Sequence, residues 1–355
     1  MDSARAEQIR MICDSAAAIA PLGAGYARIR GLRFGERDFD RTIWSEMAAM
    51  GWLGLRLPEA RGGAGLGLAE FCALAETLGA ALIPEPFVAA AAILPLLPDA
   101  TAAAALSGDQ VILPAWQEQP GTLAPAISTS FNAGRLLGTK IFIPAARDAD
   151  AFLVSTQSGL ALVEANAKDV TLCNEPTQDG GTFGRLHFAN VPAQAVPGTL
   201  ATALQEMALG HAAYLLGLAA QAFMITMDYL STRQQFGRPV GSFQALQHRA
   251  ADLAVQIELA RATIAAAART LDEEATLVPA RQMAVSRAKA RASDMAMLVT
   301  RQAIQLHGGI GFADESDIGL FLRKSMVVAN QAGSAGFHRK RYAELLHVDT
   351  KEGSG

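Results

Sequence analysis

A few short stretches of this 355-residue chain carry residue types that can do chemistry. The first is Ser231-Thr-Arg-Gln-Gln-Phe-Gly-Arg-Pro239, where Gly237 and Pro239 are expected to end a helix and leave Arg233 in its last turn. An arginine there can complement the helix macrodipole, or it can offer a planar fork of donors to a pyrophosphate. The second is Gln305-Leu-His-Gly-Gly-Ile-Gly-Phe312, whose paired glycines Gly308 and Gly309 either stop a helix or let backbone approach a ligand closely. Between these two lies Gly241-Ser-Phe-Gln-Ala-Leu-Gln-His248, which contains Phe243 and Gln244. The third is Ala329-Asn-Gln-Ala-Gly-Ser-Ala-Gly-Phe-His-Arg339, in which Ala332, not a carboxylate, precedes Gly333. His211, His307 and His338 show no helical metal-ligand spacing and no carboxylate cluster beside them, so no metal site is expected.

Helices must position the first two stretches. Past residue 200 the patterns are long, with Leu246, Leu253, Ile257, Ala260 and Ile264 on one helical stripe, and Pro279 suits the first turn of the next helix. Residues 1–107 also read as helical, with Trp44, Met47, Met50 and Trp52 as apolar anchors and a glycine-rich turn over Arg61-Gly-Gly-Ala-Gly-Leu-Gly67. Between them, 108–200 is a run of short β-prone segments: Val111-Ile-Leu, Lys140-Ile-Phe-Ile143, Ala151-Phe-Leu-Val-Ser155, Leu160-Ala-Leu-Val163, Val170-Thr-Leu172 and Arg185-Leu-His-Phe188. Their Gly, Asn, Asp and Pro punctuation is that of an antiparallel sheet or barrel. The expected fold class is therefore α+β and multidomain: an N-terminal all-α domain (1–107), a middle antiparallel β domain (108–200), a C-terminal helical bundle (201–346) and a polar, fraying tail (347–355).

Composition supports a sizeable core, at 51% hydrophobic residues. With 18% charged residues and a net charge of −4, no basic patch invites nucleic acid or an anionic membrane. Cys13, Cys72 and Cys173 are far apart and form no CxxC pair, which fits a reducing compartment. The start, Met1-Asp-Ser-Ala-Arg-Ala-Glu, has no apolar run with a cleavage site, so cytoplasmic residence is expected. The uncharged stretch Ala208 to Met227 has membrane-spanning length, but its Ala and Gly content, His211 and Gln221 suit a helix buried inside a bundle.

Taken together, the motifs over 231–248 and 305–312 resemble those of the acyl-CoA dehydrogenase family. Met50-Gly-Trp-Leu-Gly-Leu-Arg-Leu-Pro-Glu-Ala-Arg-Gly-Gly-Ala-Gly-Leu-Gly67 is similar to that family's first helical domain, so the likeness covers nearly the whole chain. It implies a bacterial flavoprotein with a C-terminal four-helix bundle, and FAD held between subunits with the ring on one chain and the ADP half clamped by its neighbour. Carried over residue by residue, the clamp is Arg233, Phe236, Phe243, Gln244, Gln305, Gly308 and Gly309.

The family's glutamate base removes the α-proton of an acyl thioester while flavin takes the β-hydrogen as hydride. One family position for it corresponds to Ala332, and the other to Met207, beside Glu206. Neighbouring helix residues point about 100° apart, so Glu206 would be aimed elsewhere, and its bland reading is a solvated carboxylate at a helix start. No catalytic residue is therefore expected in this chain. Flavin-ring contacts depart too. Trp116-Gln-Glu-Gln-Pro-Gly-Thr122 followed by Leu-Ala-Pro replaces a Thr-Glu-Pro segment and its Gly-Ser-Asp turn, and Phe142-Ile-Pro144 replaces a Trp-hydrophobic-Thr segment. Proline can supply neither a hydroxyl nor an N–H.

An intact clamp with a degraded ring seat resembles the base-less subunit of the heteromeric α2β2 acyl-CoA dehydrogenases of bacterial steroid catabolism. The resemblance implies a paralogous partner chain, a bulky acyl-CoA substrate and electron-transfer flavoprotein as electron acceptor. The rivals are a homotetramer using Glu206 as base and a flavin-free structural paralogue.

Overall fold

The computed structural model describes residues 3–19, 21–22, 25–120, 123, 128–273 and 275–352. Six helices come first: α1 (Ser3–Ile19), α2 (Gly25–Leu32), α3 (Arg41–Ala49), α4 (Leu68–Ala80), α5 (Phe87–Ile93) and α6 (Asp99–Leu106). Eight strands follow: β1 (Ile112–Ala115), β2 (Ser130–Asn132), β3 (Arg135–Pro144), β4 (Ala151–Thr156), β5 (Gly159–Glu164), β6 (Val170–Pro176), β7 (Thr182–Pro192) and β8 (Gln194–Val196). The long α7 (Ala201–Thr232) leads through a two-stranded hairpin, β9 (Gln234–Gln235) and β10 (Arg238–Pro239), to α8 (Gln244–Asp272), α9 (Val278–His307), α10 (Ile318–Val328) and α11 (Ala335–Glu352). The expected order of helices, strands and helices is present. The tail expected to fray after residue 346 is instead helical to Glu352.

The chain divides into two compact units, and the first 107 residues contribute to both. One unit, Arg28–Phe71 with Pro84–Met207, holds two four-stranded sheets ordered β1-β4-β5-β8 and β2-β3-β7-β6. β7 shows the period-two alternation of a half-buried strand, with Leu186 and Phe188 inward and Arg185 and His187 outward. β4 is buried along its whole length. One feature departs from the antiparallel expectation: β1 pairs parallel to β4, Ile112 opposite Ala151. A parallel pair needs a long crossover, and here β2 and β3 of the other sheet fill it.

A buried polar knot fastens this unit. Lys140 on β3 donates to Glu118 Oε1 at 2.7 Å, to Ser155 Oγ at 3.2 Å and to the Trp116 carbonyl at 3.4 Å. Glu118 also accepts from the backbone N–H groups of Ser128 and Thr129. Burial alone would raise the Glu118 pKa, but the bonds from Lys140, Thr129 and Ser128 outweigh it and hold the carboxyl well below the usual range.

The second unit comprises Met1–Ala27, Cys72–Ile83 and Ala208–Gly355. The uncharged part of α7 lies in its core, with Ala208, Leu209, Ala212, Leu215 and Leu218 fully buried. Glycine makes this possible at two places: a Cβ on Gly217 would sit 1.8 Å from the Glu76 carbonyl oxygen, and one on Gly79 2.1 Å from that of Tyr214. Backbone-to-backbone contact of α4 and α7 thus excludes any side chain at either position. The expected stripe on α8 is real, since Leu253, Ile257, Ala260 and Ile264 are buried. α9 starts with its proline in the first turn and packs against α8, α10 and α11.

Candidate functional site

The first chemical stretch folds differently from the sequence expectation. α7 ends at Thr232, and Arg233 lies just past it, its N–H bonded to the Tyr229 carbonyl at 2.9 Å. Gly237 does not stop the helix. It sits with Phe236 at the tip of the β9–β10 hairpin, both at positive φ (77° and 51°), the conformation of a two-residue type I′ turn. This places Phe236 on the surface at 90% exposure. Its ring meets Phe243 edge-on at 6.1 Å, and the Arg238 guanidinium lies 4.1 Å over Phe243. Gln244 opens α8, exposed, directly after Phe243.

The second stretch ends α9. Gln305 is exposed in its last turn, and its carbonyl accepts from the Gly308 N–H. Gly308 takes φ 65° and ψ −141°, backbone space that side-chain-bearing residues avoid. Gly309 is a different case: its φ is not positive, and a Cβ built on it meets nothing within 4 Å. Nothing among the described residues asks for glycine there. At Gly311, by contrast, a Cβ would lie 2.6 Å from the Ile304 carbonyl oxygen, which is a packing reason.

Tyr229 ties the two stretches together. Its ring stacks on His307 (centroids 4.4 Å apart, planes 18° apart), and its hydroxyl donates to the His307 carbonyl at 3.2 Å. His307 is buried under this ring with Nδ1 2.8 Å from the Ala303 carbonyl; burial lowers its pKa against the opposing effect of that bond. Tyr229 and Arg238 were not singled out from sequence. Tyr229 falls one turn before Arg233, which is the signal that could have found it.

The donor set at this end of the second unit is two guanidiniums, two carboxamides and an open glycine pair, flanked by exposed aromatic rings. That set fits the pyrophosphate and ribose of a dinucleotide: the forks and bare amides suit phosphate oxygens, and the rings cover apolar surface. No other described group has to move for Gly309 to be covered from outside.

The candidate base positions look unlike this. Ala332 is buried, at φ 50°, with Gly333 after it at φ 98°. His338 Nε2 donates to the Ala332 carbonyl at 2.8 Å, and Lys289, buried without exposure, donates to the carbonyls of Ala329 (2.8 Å) and Gly333 (3.1 Å). His338 is thus a core residue, and Arg339 pairs on the surface with Asp294. Lys289 could have been noticed as a cation on an otherwise apolar stripe of α9, with Val285, Ala292, Ala296 and Val299. Glu206, in the first unit, is not a solvated carboxylate: it is 7% exposed and grips Arg56 through two bonds, Nε to Oε2 at 3.0 Å and Nη2 to Oε1 at 2.8 Å.

On the β domain, Phe142 takes φ 56° at a bulge in β3, packs edge-on against Phe183 at 5.9 Å and leaves Pro144 opposite Phe183. These three side chains carry no hydrogen-bond donor. Of the other expected ring-contact segment, Trp116 is buried and Glu118 belongs to the Lys140 knot, while residues 121–122 and 124–127 lie outside the described residues. No group of three or more His, Cys, Asp or Glu that could hold a metal occurs among the described residues.

Comparison with known proteins places these observations. The acyl-CoA dehydrogenase N-terminal domain matches residues 13–101 and the C-terminal domain residues 198–347. Acyl-CoA dehydrogenase IpdE2 of Mycobacterium tuberculosis is 31% identical over 90% of this chain and 91% of its own length. Acyl-CoA dehydrogenase FadE27 of the same organism is 31% identical over 88% and 90%. Among solved structures, a variant of the Tcur3481-Tcur3483 steroid ACAD superposes with a TM-score of 0.87 at 30% identity, covering 98% of this chain and 99% of that one. Matching domains at both ends, relatives alike over almost their whole length and a shared fold leave one conclusion: the chain belongs to the acyl-CoA dehydrogenase family.

Proposed function

We propose that this chain is the clamp subunit of a two-chain, FAD-dependent acyl-CoA dehydrogenase, holding the ADP half of a flavin whose ring sits on a paralogous partner. The observation that carries this reading is the contrast at the glycine pair: Gly309 is open toward solvent for no reason internal to the described residues, in the loop after His307, whose ring stacks on Tyr229 one turn before Arg233. Arg233 and Arg238 would bind phosphate, Gln244 and Gln305 would orient the sugar, and Phe236 and Phe243 would exclude water. FAD when bound supplies hydride acceptance from the acyl β-carbon. The partner supplies the carboxylate that takes the α-proton, because Ala332 cannot accept one and Glu206 is already engaged by Arg56.

The side chains of Phe142, Phe183 and Pro144, which line the described part of the chain's own ring seat, carry no donor for a flavin edge, which supports a division of labour between two unlike chains in an α2β2 assembly. Likeness to a steroid ACAD favours a bulky, steroid-derived acyl-CoA as substrate, with electron-transfer flavoprotein as acceptor. Three free cysteines fit a cytoplasmic setting.

The test is FAD stoichiometry from visible absorption, for the chain alone and co-expressed with its paralogous neighbour. A colourless lone chain that joins a yellow complex with about one FAD per pair of unlike chains is the expected result. About one FAD per chain in isolation would overturn it in favour of the homotetramer, and no flavin in either preparation would favour a structural paralogue.

A further inference from the structure

The turn joining α10 to α11 is held by two buried, titratable side chains. Lys289 Nζ donates to the Ala329 and Gly333 carbonyls at 2.8 and 3.1 Å, and Ser293 Oγ, 3.1 Å away, can accept from the ammonium or donate to the neutral amine. His338 Nε2 donates to the Ala332 carbonyl at 2.8 Å, and Ser286 Oγ lies 3.3 Å from Nδ1. The backbone they grip is left-handed at two successive residues, Ala332 and Gly333. A non-glycine residue is disfavoured in that region, and these bonds hold the turn there.

No carboxylate compensates the pair among the described groups that touch it. From α11 the charged neighbour is Arg341, which opposes protonation of His338, as does Lys289 itself. Asp294, on α9, is engaged by Arg339. The buried positions of α8 (Leu253, Ile257, Ala260, Ile264, Ala267, Ala268) and of α10 (Ile318, Leu320, Phe321, Ser325, Val328) carry no charge.

We propose that Lys289 and His338 make this turn a proton-sensitive latch: opening releases both side chains to water and takes up protons, so acid loosens and alkali tightens the junction of α10 and α11. The sign follows from linkage. Burial lowers Lys289 from 10.5 to about 7, so the open turn binds one more proton than the closed turn between those values, and closure strengthens as pH rises through that window. Burial, reinforced by the Lys289 charge, lowers His338 from 6.5 to about 3, so closure weakens again as pH falls from 6.5 toward 3. Both groups push the same way. The inference does not depend on flavin or on a partner.

Amide hydrogen exchange over residues 329–338 of the full chain, corrected for intrinsic exchange rates, tests it. Where one proton is taken up, between pH 8 and 9.5, the opening constant is expected to fall by about tenfold per pH unit. Lys289→Met is expected to flatten that limb. His338→Gln is expected to keep the alkaline limb and lose the rise in opening between pH 6 and 5. A flat wild-type profile from pH 8 to 9.5 overturns the proposal, whether or not Lys289→Met folds, and so does an alkaline slope that survives in Lys289→Met.

Discussion

The loops on either side of α10 differ in what they leave undone. The one before it, from Gly308 through Phe312, is exposed: Phe312 is 80% accessible, and Gly309 faces open space. The one after it, from Ala329 to Ser334, is closed: its carbonyls are bonded to Lys289 and His338, and Ala332 is buried. Large exposed aromatics beside bare amides suit contact with a second molecule, whereas the Ala329, Ala332 and Gly333 carbonyls are met by buried side chains of the same chain. The difference bears on the proposed function: the first loop offers its surface outward, where the proposal seats FAD, and the second, where the family resemblance implies a base, is turned inward.

The largest expected effect tests whether any base remains. Glu206→Gln removes the charge that compensates the half-buried Arg56, and it should destabilise the fold by about 3–5 kcal/mol, read from chemical denaturation. Turnover per FAD in the folded complex should stay unchanged; a loss of several orders of magnitude would place the base in this chain. Next, Arg233→Ala should weaken FAD retention by the co-expressed pair about 10–100-fold, the loss of one or two charge-assisted hydrogen bonds, with no change in the stability of the lone chain. Flavin content indifferent to this change would argue for the structural paralogue.

The finest test uses two glycines two residues apart. Gly311→Ala should cost the lone chain about 1–3 kcal/mol, since its methyl would press on the Ile304 carbonyl. Gly309→Ala should alter lone-chain stability by under about 0.5 kcal/mol yet lower flavin affinity several-fold, because the added methyl occupies only space open to a ligand. If both behave alike, the opening at Gly309 has no functional meaning.

Much of the fold was legible because it rests on local chemistry. The stripe Leu253, Ile257, Ala260, Ile264 has a helix period, the segments from Ile112 to Phe188 have strand length and punctuation, and Pro279 suits only a first turn. The motifs proposed to clamp FAD were visible as residue types. Their geometry was not: Gly237 next to Pro239 reads as a helix stop, and only the β9–β10 pairing reveals a hairpin tip that presents Phe236. Likewise the parallel β1–β4 pair depends on a crossover of 35 residues between Ala115 and Ala151, beyond the reach of any local pattern.

What the sequence determined by itself is a set of absences and offers: no carboxylate at residue 332, no donor at residue 144, and an arginine, two glutamines and a glycine pair in family spacing. These hold in any conformation, because a methyl or a proline ring cannot do what it lacks the atoms for. Only the tertiary structure decided which charges are already committed. Glu206 and Arg56 lie 150 residues apart, and Lys289 reaches Gly333 across 44. Burial and long-range hydrogen bonding set whether a charged group is available for chemistry, and both are properties of packing that no local stretch contains.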